Sequence, residues 1–145
     1  MPEKRTLDEA RAAKRQGKSP STQAGAFVHE EIEHIREGKH GARSAKQAIA
    51  IGLAKARRAG VKLPPPPATA SERTKRSAKS ASSKKGARPS PRRSRAAKAA
   101  LRHEPRSAAS TQALSRHATL AARRRTAGAR KASARRAART RAKHR

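Results

Sequence analysis

Residues 44–60 have the sequence SAKQAIAIGLAKARRAG, which contains the start, the apolar face and the end of one α-helix. Ser44 and Gln47 fit a capping box, in which the serine caps the first free amides and the residue three positions later reaches back. Apolar residues then recur at helical spacing as far as Leu53, and Gly60 stands where a left-handed C-cap is expected. Small residues on the same helix would let a second helix approach closely: Ala48, Gly52 and Ala56.

The chain before this helix predicts two more helices. Residues 23–37 carry an apolar stripe formed by Val28, Ile32 and Ile35, and Gly38 is a natural stop. Together with residues 44–60 this segment predicts a two-helix hairpin, with a basic glycine-containing loop as the connection. Thr6 and Glu9 fit a second capping box, which predicts a short helix from Thr6 to about Gln16.

The composition is far from that of an ordinary globular domain. Lys and Arg number 39 against 9 acidic residues among 145, which gives a net charge of +30. Only 13 residues are Leu, Ile, Val or Phe, and most of the nominal hydrophobic content is alanine. So few large apolar residues with so high a charge are typical of disordered chains.

The composition changes at the proline run 64–67, which a helix cannot cross. Ten of the 13 large apolar residues precede it, whereas residues 64–145 carry a net charge of +23. We therefore predict four regions: a charged segment with a short helix at 1–22, the helical hairpin at 23–63, a disordered linker at 64–106, and an Ala/Arg-rich basic tail at 107–145.

The expected fold class is a mostly disordered chain with a small all-α hairpin. Ten large apolar residues bury too little area to offset the conformational entropy lost when the hairpin orders. The hairpin should then gain order from self-association or from a bound partner. Like-charge repulsion should keep the tail unfolded until a polyanion neutralises it and allows helix to form.

Two parts of the chain resemble known proteins. The hairpin sequence, with Gly38-Lys39 in its loop and KQAIAI at residues 46–51, resembles a family of small, basic, uncharacterised bacterial proteins over residues 27–63. The resemblance implies a bacterial, intracellular protein and no catalytic residue. The tail, with Ser90-Pro91-Arg92-Arg93, is similar to the tails of linker histones and bacterial histone-like proteins. That similarity implies binding in DNA grooves.

Catalytic chemistry finds little support in the sequence. His29 and His34 flank three glutamates, but a zinc-protease helix needs its histidines four residues apart, and a spacing of five turns the rings away from each other. Gly17-Lys18-Ser19 matches only the end of a phosphate-binding loop. We therefore expect no enzyme activity, no cofactor and no metal site.

The charge points instead to a polyanion. Non-specific binding to phosphates is expected, with DNA favoured over RNA as the partner and coating or compaction of a bacterial nucleoid as the role. An RNA- or ribosome-associated protein and a protein–protein assembly module with a basic tail remain open, as does self-association of the hairpin. A membrane partner is not expected, and the expected location is the cytoplasm at the nucleoid.

The candidate nucleic-acid contacts are the following: Lys39, Arg43, Lys84, Lys85, Arg92, Arg93, Arg95, Arg123, Arg124, Arg125, Arg130, Lys131, Arg135, Arg136, Arg139 and Arg141.

Overall fold

A computed structural model describes residues 1–88 and 90–143, and the residues it describes form an all-α protein. The helices cover 71% of the chain, with no strand in the described part. The prediction of a mostly disordered chain is therefore wrong. In chain order the elements are α1 Lys4–Arg15, α2 Pro20–Arg36, α3 Ala45–Arg58, α4 Glu72–Ser83, α5 Pro91–Arg102, a 3-10 turn Arg106–Ala109, α6 Thr111–Arg123 and α7 Ala127–Lys143.

The chain folds as two compact units, Met1–Ser110 and Thr111–Arg145. In the first unit, α2 packs against both α1 and α3, while α4 packs against α3 and the 3-10 turn contacts α2 and α3. The second unit contains α6 and α7. The division falls after Ser110, whereas the sequence predicts its main change of organisation at the proline run.

The start and end of α3 follow the predicted signals. Ser44 is the N-cap and accepts a hydrogen bond from the Gln47 amide at 3.2 Å, while the Gln47 side chain accepts one from the Arg43 amide at 2.8 Å. Gly60 has a φ of +95°, and the Val61 amide donates to the Ala56 carbonyl at 3.0 Å. These bonds satisfy amide and carbonyl groups that a helix end otherwise leaves unpaired.

The other two predicted helix starts are displaced. α2 begins at Pro20, three residues before the predicted start, because Ser19 caps the Thr22 amide and proline suits the first helical position. α1 begins at Lys4 with Glu3 as N-cap, so the capping box at Thr6 is wrong. Thr6 is buried within the helix, and its side chain is hydrogen-bonded to Glu30 of α2.

The contact between α2 and α3 depends on small residues, as the sequence predicts. A Cβ on Gly52 would lie 2.7 Å from the Cα of Val28, so the two backbones touch at this point. Ala48 and Ala56 are fully buried on the same face of α3, one turn to either side. This close approach brings α3 side chains next to those in the second half of α2.

Two small apolar clusters form the core of the first unit. One contains Phe27 with alanines from α1, α2 and α3, and the other contains Ile35 with alanines from α3, the α2–α3 loop and the 3-10 turn. Eight alanines belong to these clusters or lie next to them: Ala10, Ala24, Ala42, Ala45, Ala48, Ala56, Ala108 and Ala109. Short side chains give little burial each but allow dense helix packing. Counting only large apolar residues therefore underestimated the core.

The predicted linker contributes directly to the first unit. Ala81 of α4 is buried, and the Gly86 amide donates to the Arg58 carbonyl at 2.9 Å. Further along, the Gly41 amide donates to the Leu101 carbonyl at 2.8 Å and the Ala42 amide to the Pro105 carbonyl at 3.1 Å. A Cβ on residue 41 would overlap the Glu104 carbonyl. Segment 101–109 thus covers the α2–α3 loop, which the sequence treats as open.

The second unit is held by different interactions. The Ala129 amide donates to the Thr126 hydroxyl at 3.2 Å, which caps the start of α7. Arg125 donates to the Ala129 carbonyl and to the Ser133 hydroxyl. Neither α6 nor α7 buries a residue in its described part. No described helix is both long enough and apolar enough to span a membrane.

Candidate functional site

The predicted nucleic-acid contacts fall into three groups in the structure. Two lie in the α2–α3 loop: Lys39 and Arg43. Five lie after α4 or on α5: Lys84, Lys85, Arg92, Arg93 and Arg95. The remaining nine lie at the end of α6, in the turn that follows it, or on α7: Arg123, Arg124, Arg125, Arg130, Lys131, Arg135, Arg136, Arg139 and Arg141.

The two loop cations are placed differently from each other. Lys39 forms ion pairs with Glu37 at 2.9 Å and with Glu3 at 3.4 Å, and the pairing with Glu37 raises the pKa of Lys39. Two carboxylates of the protein therefore compete with a phosphate for Lys39. Arg43 is exposed. Because Gly41 and Ala42 lie buried under segment 101–109, the loop does not form an open cradle for phosphate.

The cations of α5 and α7 are exposed and have no acidic neighbours on their own helices. α5 carries five basic residues and α7 carries seven, and neither sequence contains Asp or Glu. In α7 the basic side chains spread around most of the helix axis, at about 100° per residue. Each helix therefore presents positive charge to solvent without internal compensation.

A second assembly of polar groups lies within the first unit, between α1, α2, α3 and the α2–α3 loop. We call it the buried ionic cluster, and its members are Glu3, Glu30, Glu31, His34, His40 and Lys55. Glu31 is 1% exposed and Glu30 is 5% exposed. Burying carboxylates is costly unless they are paired, so the arrangement of their partners matters.

Lys55 of α3 reaches both buried carboxylates. Its ammonium lies 2.6 Å from Glu31 Oε2 and 3.3 Å from Glu30 Oε1. Glu30 also accepts a hydrogen bond from the Glu3 amide at 3.1 Å. Burial raises the pKa of Glu30, but hydrogen bonds from Thr6 and from the Glu3 amide and the charge of Lys55 outweigh burial and lower it overall. Glu30 is thus held as a carboxylate.

The two histidines approach the cluster from different elements. His34 lies on α2, and its Nε2 is 2.9 Å from Glu3 Oε1, while its Nδ1 is 4.0 Å from Glu30 Oε1. His40 lies in the loop, with Nε2 3.0 Å from Glu31 Oε1. Hydrogen bonds from His34 and Lys39 lower the pKa of Glu3. The rings of the two histidines meet edge to face, with centroids 6.4 Å apart.

Glu31, His34 and His40 each offer a ligand atom within 4.8 Å of the other two. Sequence reasoning tested the pair His29 and His34, but His29 is exposed and does not join the cluster. The spacing Glu31–His34 puts two donors on one helical face, which the sequence could have revealed. The position of His40 follows only from the folded loop.

Residues 11–66 match the model of a family described as a family of unknown function (DUF6496). The matched stretch contains all of α2 and α3 and most of the buried ionic cluster, and it ends before α4. The basic helices α5 and α7 lie outside it. No curated protein matches the chain. No solved structure matches it either.

Proposed function

We propose that this protein binds nucleic acid through its phosphates without reading sequence, and that it coats or compacts duplex DNA in a bacterial nucleoid. The observation that carries the proposal is α7, a helix of 17 residues that buries none of them and carries seven cations and no acid. A helix with no buried face makes no contribution to a core. Its composition suits a polyanionic partner.

The density of positive charge on α7 is about half the phosphate charge density of a DNA duplex. Seventeen residues span about 25 Å at 1.5 Å per residue, whereas duplex DNA carries one phosphate charge per about 1.7 Å of axis. A duplex segment of that length therefore carries more phosphates than α7 has cations. Neutralising those phosphates releases condensed counterions, which supplies most of the free energy of non-specific binding.

The aromatic content favours a duplex over a single strand. Proteins that bind single strands stack bases on aromatic side chains, and Phe27 is the one Phe, Tyr or Trp in this chain. Phe27 is fully buried in the core of the first unit. The exposed side chains of α5 and α7 offer mainly cations and hydroxyls, and contacts from these groups to phosphate carry no sequence information.

Compaction needs a protein that can hold two duplex segments at once. The first unit carries α5, with five cations and no acid, and the second unit carries α7. Each unit thus has its own exposed basic helix. Two such surfaces on one chain allow bridging, and bridging raises the local concentration of the second duplex segment.

The test is the salt dependence of binding to duplex DNA of mixed sequence, with the full chain. If about ten phosphates are engaged, log K against log salt has a slope near −9. Replacing Arg130, Arg135, Arg136, Arg139 and Arg141 with Gln removes five of these contacts and should reduce the slope to about −4.5. The same five positions replaced with Lys keep the charge and should keep the slope.

A wild-type slope shallower than about −2, or equal losses in the Gln and Lys variants, would contradict the electrostatic mechanism. Measuring duplex RNA at the same salt separates the two nucleic acids, since a tenfold preference for RNA would overturn the choice of DNA. Bridging is tested on long DNA by the loss of end-to-end length. Replacing Arg92, Arg93 and Arg95 with Gln should reduce that shortening more than it reduces binding.

A further inference from the structure

We propose that Glu31, His34 and His40 form a binding site for a divalent transition-metal ion, with Zn²⁺ as the preferred occupant. Their ligand atoms lie within 4.8 Å of one another in the interior of the first unit. Two imidazoles and one carboxylate are the donor set that zinc accepts in proteins, with a fourth position left for water. This site is separate from the basic helices on which nucleic-acid binding depends.

The hydrogen bonds of the two histidines leave one ring nitrogen of each available. His40 Nδ1 lies 3.0 Å from the Gly41 carbonyl, and a carbonyl only accepts, so Nδ1 carries the hydrogen. His34 Nε2 lies 2.9 Å from Glu3 Oε1 and donates to that carboxylate. Histidines that bind metals are held in this way, with the second ring N–H donated to a carboxylate or a backbone carbonyl.

The free nitrogen of His40 faces a carboxylate. His40 Nε2 lies 3.0 Å from Glu31 Oε1, so one ion could contact both atoms. Both oxygens of Glu31 are buried, and neither makes a well-aligned hydrogen bond with any described residue. A metal ion bound by Nε2 and Oε1 satisfies both groups.

Lys55 does not occupy the oxygen of Glu31 that would bind the ion. Its ammonium pairs with Glu31 Oε2 at 2.6 Å and with Glu30 Oε1 at 3.3 Å. Oε1 of Glu31, on the side of His40, is left for the ion. Lys55 offsets part of the negative charge of the two carboxylates, which disfavours ions that need several carboxylates, such as Ca²⁺ and Mg²⁺. Imidazole nitrogens favour Zn²⁺ and its neighbours in the first transition row.

The loop that carries His40 is fixed by packing. The amides of Gly41 and Ala42 are bonded to segment 101–109, which covers this loop. Ligands around a tetrahedral zinc lie about 3.3 Å apart, given bonds of about 2.0–2.1 Å. His40 and Glu31 already meet that spacing, and all three residues offer ligand atoms within 4.8 Å of one another.

The experiment titrates the full chain, freed of metal with a chelator, with Zn²⁺ and with Co²⁺, which reports tetrahedral coordination by its visible absorption. We expect saturable binding of one ion per chain. His34→Ala and His40→Ala should each weaken binding by more than about 100-fold, because loss of an outer hydrogen-bond partner alone costs about 10–100-fold. Glu3→Ala removes such a partner of His34 and should fall in that range.

The matched control is His29→Ala, an exposed histidine of α2 outside the cluster, which should leave affinity unchanged. Ring ¹⁵N shifts in the unmodified protein add a readout that needs no variant: Zn²⁺ should move those of His34 and His40 and leave His29, His103 and His117 in place. Absence of saturable binding would overturn the site. So would binding that moves His29 equally.

Discussion

Helices α2 and α7 have the same length, 17 residues, and are stabilised by different interactions. α2 buries five residues, including two carboxylates, whereas α7 buries none. α2 is held by its neighbours α1 and α3 and by segment 101–109. α7 depends on the helix propensity of alanine and arginine, on the hydrogen bond that the Thr126 hydroxyl accepts and on those that Arg125 donates. The comparison shows that tertiary packing and local propensity are used in separate parts of one chain.

The largest expected effect is the loss of Phe27, a fully buried side chain of α2. Phe27→Ala removes its contacts and leaves a cavity, which should lower the free energy of unfolding of the first unit by about 3–5 kcal/mol. Urea denaturation read out by hydrogen exchange of α2 amides measures this loss. Leu120→Ala, at the most exposed leucine of α6, should change stability by less than about 0.5 kcal/mol. A loss below about 1 kcal/mol for Phe27→Ala would show that α2 is not held by its core.

The second effect concerns Lys55, the common partner of the two buried carboxylates. Lys55→Met keeps most of the side-chain volume but leaves Glu30 and Glu31 without their ammonium, and breaking a buried pair costs about 3–5 kcal/mol. The ammonium side chain is 20% exposed, so we expect the lower end of that range. Arg136→Met on α7 is the control and should leave stability unchanged. Equal effects at both positions would rule out a special role for the buried ion pairs.

The third test uses two glycines with opposite surroundings. Gly52→Ala places a Cβ 2.7 Å from the Val28 backbone, which should separate α2 from α3 and cost about 1–3 kcal/mol. Gly128→Ala on α7 meets nothing within 4 Å and should stabilise that helix by about 0.5–1 kcal/mol. Thermal unfolding followed by circular dichroism gives the signs of both changes. The same sign for both would contradict the contrast between packed and unpacked helices.

The smallest expected effect is a difference in stability between alanine substitutions of two serines that precede helices. Ser44→Ala removes the bond to the Gln47 amide and should cost about 1 kcal/mol. Ser90 precedes α5 but makes no side-chain cap bond, so Ser90→Ala should cost close to nothing. Amide exchange over the first turn of each helix measures the difference. If Ser90→Ala costs as much as Ser44→Ala, the cap bond is not the source of stability.

Local signals predicted the parts of the fold that depend on few residues. The cap at Ser44, the left-handed Gly60 and the close approach at Gly52 were all predicted from their sequence neighbours. Thr6 also fits a capping box, but α1 starts before it. The Thr6 side chain is hydrogen-bonded to Glu30 of α2 instead of to an amide at the start of its own helix. A local rule fails there because a tertiary hydrogen bond competes with it.

The two candidate sites also differ in how far the sequence predicts them. The basic character of α7 follows from composition alone, because an exposed cation needs no particular neighbour. The buried ionic cluster joins residues 3, 30, 31, 34, 40 and 55 across three helices and a loop. Its one local signal is the pair Glu31 and His34, three residues apart. No spacing rule places His40 or Lys55 beside them.

The sequence by itself determined the basic composition of residues 127–143, both ends of α3 and the small-residue contact at Gly52, because each depends on side chains a few positions apart. Only the tertiary structure decided that the chain folds beyond the proline run and that two carboxylates are buried. The reason is that alanines gain little free energy individually, and their contribution appears only when α2, α3 and segment 101–109 pack around the same loop. The same packing brings Glu31, His34 and His40 together.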